Sequence, residues 1–174
     1  MTVISKKICM VGDFSVGKTS LIRRFVEGKF SDRYLSTVGV KISRKVVEVH
    51  PEGATESKSL QLLIWDLEGH TKFKSIAPSY LQGAKGSLVV ADVTRGETLD
   101  RISEHVKLFL SVNPQGWIIV ALNKSDLVDP DKLLHLKKTV ESQQYDRVTS
   151  IYLTSAKTGD NVNEMFQEMA ARVL

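Results

Sequence analysis

One cysteine, Cys9, stands in 174 residues, which excludes a disulfide framework and a cysteine-rich zinc site. Four prolines and eleven glycines are too few for a fibrous or linker-rich chain. No apolar run is long enough to cross a bilayer, and the N-terminus carries no signal-peptide pattern. A cytoplasmic address is the expectation that follows. There is also no block of one charge. The 24 Lys and Arg stand against 20 Asp and Glu, a net charge of +4. The basic residues are spread along the chain as a solvated mixed surface, so nucleic acid is not expected as a partner. His50, His105 and His135 lack metal-ligand spacing and read as surface or loop residues. Cys9 lies within an apolar run and reads as a small core hydrophobe.

What the chain does carry is a 42% hydrophobic content, dealt out as short apolar runs between helical patterns. Residues 8–11, 60–65, 88–93, 117–122 and 150–153 read as buried strands bounded by Gly, Asp, Asn or Ser. Residues 41–49 read as a more charged strand. Its Lys41, Arg44 and Lys45 suit a sheet edge, where basic side chains discourage stray pairing. Pro51-Glu52-Gly53 then predicts a hairpin to the strand beginning at Leu60. Val162, Met165, Phe166, Met169, Ala170 and Val173 recur at helical spacing, with Asn161 and Glu164 as a capping box at the start. Leu21, Ile22, Phe25 and Val26 mark a second helix, and Leu99, Ile102, Val106 and Leu110 a third. Asp129-Pro130 marks the cap of a fourth. Strands alternating with helices predict a mainly parallel α/β sheet with helices on both faces, as one domain over residues 1–174. In such sheets ligands sit beyond the carboxyl ends of the strands.

The clearest motif falls there. Gly12-Asp13-Phe14-Ser15-Val16-Gly17-Lys18-Thr19 satisfies G-x-x-x-x-G-K-[ST], directly after a strand and opening a helix. Its glycines let successive backbone N–H groups, from Asp13 through Ser20, face phosphate oxygens at a helix N-terminus. Lys18 would reach the β- and γ-phosphates, and the Thr19 hydroxyl would be a Mg²⁺ ligand. This loop alone predicts a nucleoside triphosphate without saying which.

Asn123-Lys124-Ser125-Asp126 supplies the base. Guanine offers N1–H and N2–H₂ side by side, and the Asp126 carboxylate can accept both. Adenine would leave that charge unpaired, a difference worth roughly 10⁴–10⁵ in selectivity. Asn123 would brace neighbouring loops, the Lys124 stem would lie along the base, and Ser155-Ala156-Lys157 would give a backbone N–H to guanine O6.

In these motifs the sequence resembles the Ras superfamily, its Rab branch most closely. The likeness extends through Tyr34-Leu35-Ser36-Thr37-Val38-Gly39, Trp65-Asp66-Leu67-Glu68-Gly69, Tyr80, Gly83-Ala84 and Asp92-Val93-Thr94. It implies a P-loop fold of six strands, one antiparallel, with five helices, and a GTP-on, GDP-off switch that uses Mg²⁺. It further implies that Phe30 packs on guanine, Tyr34 covers the phosphates, and Thr37 and Asp66 hold the metal shell. Gly69 would meet the γ-phosphate. Two switch segments, about residues 30–39 and 66–80, would bind effector proteins, with an exchange factor and an activating protein as further partners.

Three departures bear on hydrolysis. His70 stands where the family has the glutamine that orients the attacking water. Two readings are open: a ring nitrogen does the same work, or intrinsic hydrolysis is very slow. Glu68 replaces alanine and would repel a γ-phosphate unless it turns away, pairs with Lys72 or Lys74, or favours the GDP state. Phe14 replaces a small residue and would obstruct an incoming arginine finger. A nucleotide-binding interaction module with almost no hydrolysis is therefore the alternative. A nucleotide kinase is disfavoured by the Asn-Lys-Ser-Asp loop. The sequence ends in Arg172-Val173-Leu174 and has Thr2 rather than Gly, so membrane anchoring is not encoded in it. Peripheral attachment would need a lipidated tail beyond it.

Overall fold

The structure, a computed structural model, describes residues 3–32, 39–67 and 78–174. Six strands form one sheet: β1 (Ile4–Gly12), β2 (Val40–Val49), β3 (Lys58–Leu67), β4 (Gly86–Asp92), β5 (Trp117–Asn123) and β6 (Val148–Leu153). Their order is β2-β3-β1-β4-β5-β6. All neighbours are parallel except β2 and β3, which form the expected hairpin. Its turn closes with Ala54 N–H donating to the Pro51 carbonyl at 3.0 Å. The charged strand β2 lies at the edge, as its lysines and arginine predict.

Alternation along the strands sorts the core into two layers. Ile8 and Met10 of β1 face a layer with Leu21, Ile22 and Phe25 of α1 (Lys18–Glu27) and Met165, Phe166 and Met169 of α5 (Val162–Val173). Phe25 stacks on Phe166 with centroids 4.2 Å apart. Cys9 and Val11 face the other layer, with Ile102, Val106 and Phe109 of α3 (Ile102–Val112) and Leu133 and Val140 of α4 (Pro130–Ser142). Covering on both sides explains why the central strands read as unbroken apolar runs.

Two local expectations are corrected. The single helix through Leu99 and Leu110 is two: α2 (Gly96–Asp100) and α3, broken at Arg101, whose φ of −93° and ψ of 0° leave helical geometry. Asn161 and Glu164 form no capping box. Asn161 takes a left-handed φ of 58°, which turns its amide to the Leu153 carbonyl, 2.8 Å away. Asp129 does cap α4, its carboxylate accepting from Asp131 N–H at 3.2 Å, with Pro130 as the first helical residue. Among the described residues no helix is long and apolar enough to cross a membrane.

Candidate functional site

The carboxyl ends of β1, β3, β4 and β5 converge on the loop from Gly12 to Gly17, between β1 and α1. Gly12 has φ +152°, and a Cβ there would stand 2.3 Å from the Val90 carbonyl oxygen. Gly17 has φ +102°, and its Cβ would stand 2.3 Å from Asn123 Nδ2. Only glycine lets the loop pass this close to β4 and to the base segment. Between them Val16 sinks wholly into the α1–α5 layer. Three successive carbonyls of the loop are then taken from outside. Arg95 Nη2 donates to Phe14 at 2.6 Å, Lys124 Nζ to Ser15 at 3.0 Å and Asn123 Nδ2 to Val16 at 3.0 Å. A loop whose carbonyls are bound on one side can turn its N–H groups to the other, the arrangement that holds an anion.

Lys18, in the first turn of α1, is buried and donates to the Gly12 carbonyl at 3.0 Å and the Asp13 carbonyl at 2.9 Å. Burial pushes its ammonium down to about 8, while Asp66 and Asp13 pull it up and Arg95 pushes it further down. Thr19 Oγ1 donates to Asp66 Oδ2 at 2.5 Å, across from the end of β3. These are hard oxygen donors at a helix start, the chemistry Mg²⁺ prefers. Among the described residues no group of three or more His, Cys, Asp or Glu could hold a metal by itself. A magnesium ion on Thr19 and Asp66 would therefore complete its shell with phosphate and water oxygens. Ser20 follows, half-buried in the same first turn.

The base segment is locked to this loop. Asn123 is buried at the end of β5 and bridges Val16 and Thr154, whose hydroxyl donates to Asn123 Oδ1 at 3.1 Å. Lys124 takes a left-handed φ of 64°, a conformation costing a non-glycine residue about 1–2 kcal/mol. Its Nζ offsets that cost by donating to Asp92 Oδ2 at 2.9 Å and to Ser15. Burial works against the charge on Asp92, but hydrogen bonds from Thr94 and Lys124 outweigh it, so its carboxyl lies below the ordinary range. Asp126 is exposed, and its Oδ1 accepts from the buried Ser155 hydroxyl at 2.8 Å. Ala156 is buried and Lys157 exposed. Phe30 is half-buried against the α1–α5 layer.

Four residues unremarked or misread in the sequence also reach these loops. Arg24 leaves α1 to donate to the carbonyls of Ala156, at 2.7 Å, and Lys157, at 2.5 Å. Arg95 holds Phe14. His105 is no surface residue: it is buried on α3, and its Nε2 lies 2.9 Å from Asp13 Oδ1. Arg101 Nη1 donates to Asp13 Oδ2 at 2.7 Å. The usable signal was their spacing. Arg101 and His105 lie four residues apart, hence on one helix face, and an acid inside an apolar-bounded loop requires partners.

The structure thus gathers Asp13, Phe14, Ser15, Val16, Gly17, Lys18, Thr19 and Asp66 at one sheet end, with Asn123, Lys124, Asp126 and Ser155 beside them. Tyr34, Thr37, Glu68, Gly69 and His70 lie outside the described residues.

Comparison with known proteins agrees with this arrangement. The Ras family model matches residues 7–174. The GTP-binding protein ypt5 of Schizosaccharomyces pombe is 33% identical over 99% of this chain and 80% of its own length. Ras-related protein Rab-22A of Homo sapiens is 32% identical over 99% and 86%. Ras-related protein Rab5 of Nicotiana tabacum is 34% identical over 98% and 82%. With its phosphate loop, its strand order and relatives of this kind along nearly its whole length, the chain belongs to the Ras family.

Proposed function

We propose that this protein is a GTP/GDP-binding switch that uses Mg²⁺, hydrolyses GTP slowly and signals through its GTP-bound form. One observation carries the reading. The phosphate loop is tied to the base loop by Asn123 on Val16 and Lys124 on Ser15, while Asp126 stands at the outer end of that loop on Ser155. A guanine held by Asp126 would place its triphosphate along the N–H groups of residues 13–20. Lys18 would bind the β- and γ-phosphates, Thr19 and Asp66 would hold Mg²⁺, and the metal would neutralise charge between those phosphates. Phe30, Ala156 and Lys157 would line the base.

The switching half of the proposal rests on Tyr34, Thr37, Gly69 and His70, whose roles follow from their positions in the family motif. Effector proteins would read those segments, and exposed Ile42 and Tyr80 adjoin them in sequence. An exchange factor and an activating protein would set the cycle. Slow hydrolysis is proposed because Phe14, Glu68 and His70 replace the residues that serve it elsewhere in the family. A cytoplasmic setting is proposed on composition, with membrane attachment only through a lipidated tail.

The test is a binding titration of GTP, GDP and ATP against the wild type and Asp126→Ala. Tight binding of both guanine nucleotides is expected, with ATP weaker by at least ~10⁴. The variant should lose at least ~100-fold of that preference. Equal binding of ATP and GTP by the wild type would end the proposal. Binding without any turnover of GTP would leave the interaction-module reading, which exposed Phe14 beside the loop favours.

A further inference from the structure

The loop after β6 spends most of its N–H groups on itself. Ser155 N–H donates to the Asp160 carbonyl at 3.2 Å, and Gly159 N–H to the Ser155 carbonyl at 2.8 Å. Thr158 N–H goes to Ser155 Oγ at 3.1 Å, and Asp160 N–H to Thr158 Oγ1 at 3.2 Å. Ala156 and Lys157 differ. Among the described residues nothing accepts from the N–H group of either, although Ala156 is buried. A donor in that position calls for an acceptor. Two held carbonyls aim this pair, because in a trans peptide the carbonyl and the following N–H point in opposite directions. The Ser155 carbonyl, bound by Gly159, sets the Ala156 N–H. The Ala156 carbonyl sets the Lys157 N–H, and Arg24 Nε donates to it at 2.7 Å. Arg24 Nη2 also takes the Lys157 carbonyl at 2.5 Å, and Nη1 the Gly28 carbonyl at 3.3 Å. The fork is thus fixed to its own helix end, where Gly28 N–H returns to the Arg24 carbonyl at 2.9 Å.

We infer that Arg24 is a positioning residue for base selection: its guanidinium holds the Ala156–Lys157 peptide so that two N–H groups meet guanine O6. The inference rests on the proposed guanine-nucleotide reading and deepens it. Asp126 stands beside these donors, its Oδ1 on the Ser155 hydroxyl at 2.8 Å. A carboxylate facing N1–H and N2–H₂ and two N–H groups facing O6 match the whole edge of guanine. Adenine carries an amino group where guanine has O6, so donors would face donors there, and a site built this way rejects the wrong base. Arg24 acts through the loop and not on the nucleotide. Its grip matters because donors fixed in advance lose less on binding than donors that must be ordered. α1 thereby serves both ends of the ligand, with Lys18 and Thr19 in its first turn and Arg24 near its last.

The experiment measures the affinities of GDP, inosine diphosphate and 2-aminopurine riboside diphosphate for wild type, Arg24→Ala and Arg24→Lys. Inosine diphosphate keeps O6 and drops the 2-amino group. The 2-aminopurine nucleotide keeps the amino group and has no oxygen at the O6 position. Its lack of N1–H is common to all three proteins and cancels between them. Arg24→Ala should weaken GDP and inosine diphosphate alike by ~10-fold, about 1.4 kcal/mol. The 2-aminopurine nucleotide should weaken by no more than ~2-fold. Arg24→Lys keeps a charged donor without the fork. It should show the same pattern at a smaller loss, and it decides the question where the alanine variant does not fold. An equal loss on all three nucleotides overturns the inference, because that is general support of α1. A loss that shrinks with inosine diphosphate also overturns it, since Arg24 would then act through Asp126. GDP binding by Arg24→Ala within ~2-fold of wild type overturns it too. A wild type that binds ATP as tightly as GTP removes the guanine reading itself.

Discussion

Replacing His105 by alanine takes a buried partner from a buried acid. Asp13 is only 4% exposed and uses both carboxylate oxygens, Oδ1 toward His105 and Oδ2 toward Arg101. A carboxylate only accepts, so Nε2 of His105 carries the hydrogen of that bond. Leaving Oδ1 unsatisfied costs about 1–3 kcal/mol. Losing the ring adds a cavity term smaller than the 3–5 kcal/mol of a buried Phe→Ala. A combined loss of about 3 kcal/mol is expected, which lowers Tm by about 6–12 °C in a domain of this size. Arg101→Ala removes the other partner, but the Arg101 side chain is 50% exposed, and solvent screening holds its cost below about 1 kcal/mol. The two variants thus rank His105→Ala well above Arg101→Ala. Thermal unfolding by circular dichroism measures that order. A double-mutant cycle of Asp13→Ala with His105→Ala isolates the bond, with a coupling of about 1–3 kcal/mol expected. GDP release should also quicken by about tenfold, because Asp13 opens the phosphate loop. A coupling within about 0.5 kcal/mol of zero would refute the clamp, as would an Arg101→Ala variant less stable than His105→Ala.

Gly17→Ala should abolish guanine-nucleotide binding in a titration while the chain still folds. Its left-handed φ and the 2.3 Å approach of Asn123 Nδ2 leave no room for a Cβ, and an alanine that binds like wild type would refute that geometry. Cys9 is buried and its thiol pushed up to about 12, by desolvation against a weaker pull from Lys7. Only about one molecule in ten thousand is thiolate at pH 8. Native protein should therefore resist a thiol reagent, and react stoichiometrically once unfolded in denaturant. Arg24→Ala frees the carbonyls of Ala156 and Lys157. GDP affinity should weaken by about tenfold, with ATP binding unaffected.

Much of this was legible in the residues. The apolar runs located five of the strands, and charge on β2 placed it at the edge, because strand burial and sheet position leave direct marks in composition. The phosphate and base loops were legible because glycine at a fixed spacing and an Asn-Lys-Ser-Asp tetrapeptide are tied to particular backbone shapes. Arg24, Arg95, Arg101 and His105 were not legible as parts of the site. Each acts over a long sequence separation, on a carbonyl or carboxylate that no local pattern announces. His105 illustrates the difficulty. A histidine on an amphipathic helix reads the same whether it meets solvent or a buried acid, and only the packing of α3 against β1 decides. The Asn161 cap failed for a related reason, since the residue types were right and the backbone was left-handed.

The placement of Arg95, Arg101 and His105, together with Lys124, carries its own consequence. Asp13 is held through its carboxylate by Arg101 and His105, and the Phe14 and Ser15 carbonyls are held by Arg95 and Lys124, so two carboxylates each collect two basic groups around the loop. Asp92 collects Lys124 and Arg95, and Asp13 collects Arg101 and His105. The phosphate loop therefore cannot shift without disturbing one of these pairs, and α2 and α3 cannot shift without moving the loop. Coupling of that kind requires a physical connection with partners at both ends, and both carboxylates provide one. A ligand that draws on Arg101, the most exposed of the four basic groups, would loosen Asp13 while leaving Asp92 in place. A ligand that displaces Lys124 would do the reverse and strip the base loop of its tie to Ser15. Asp13 thus anchors the start of the phosphate loop to α3, and Asp92 anchors Phe14 and Ser15 to α2 and the base loop, so a substitution at either acid should loosen a different stretch of the loop.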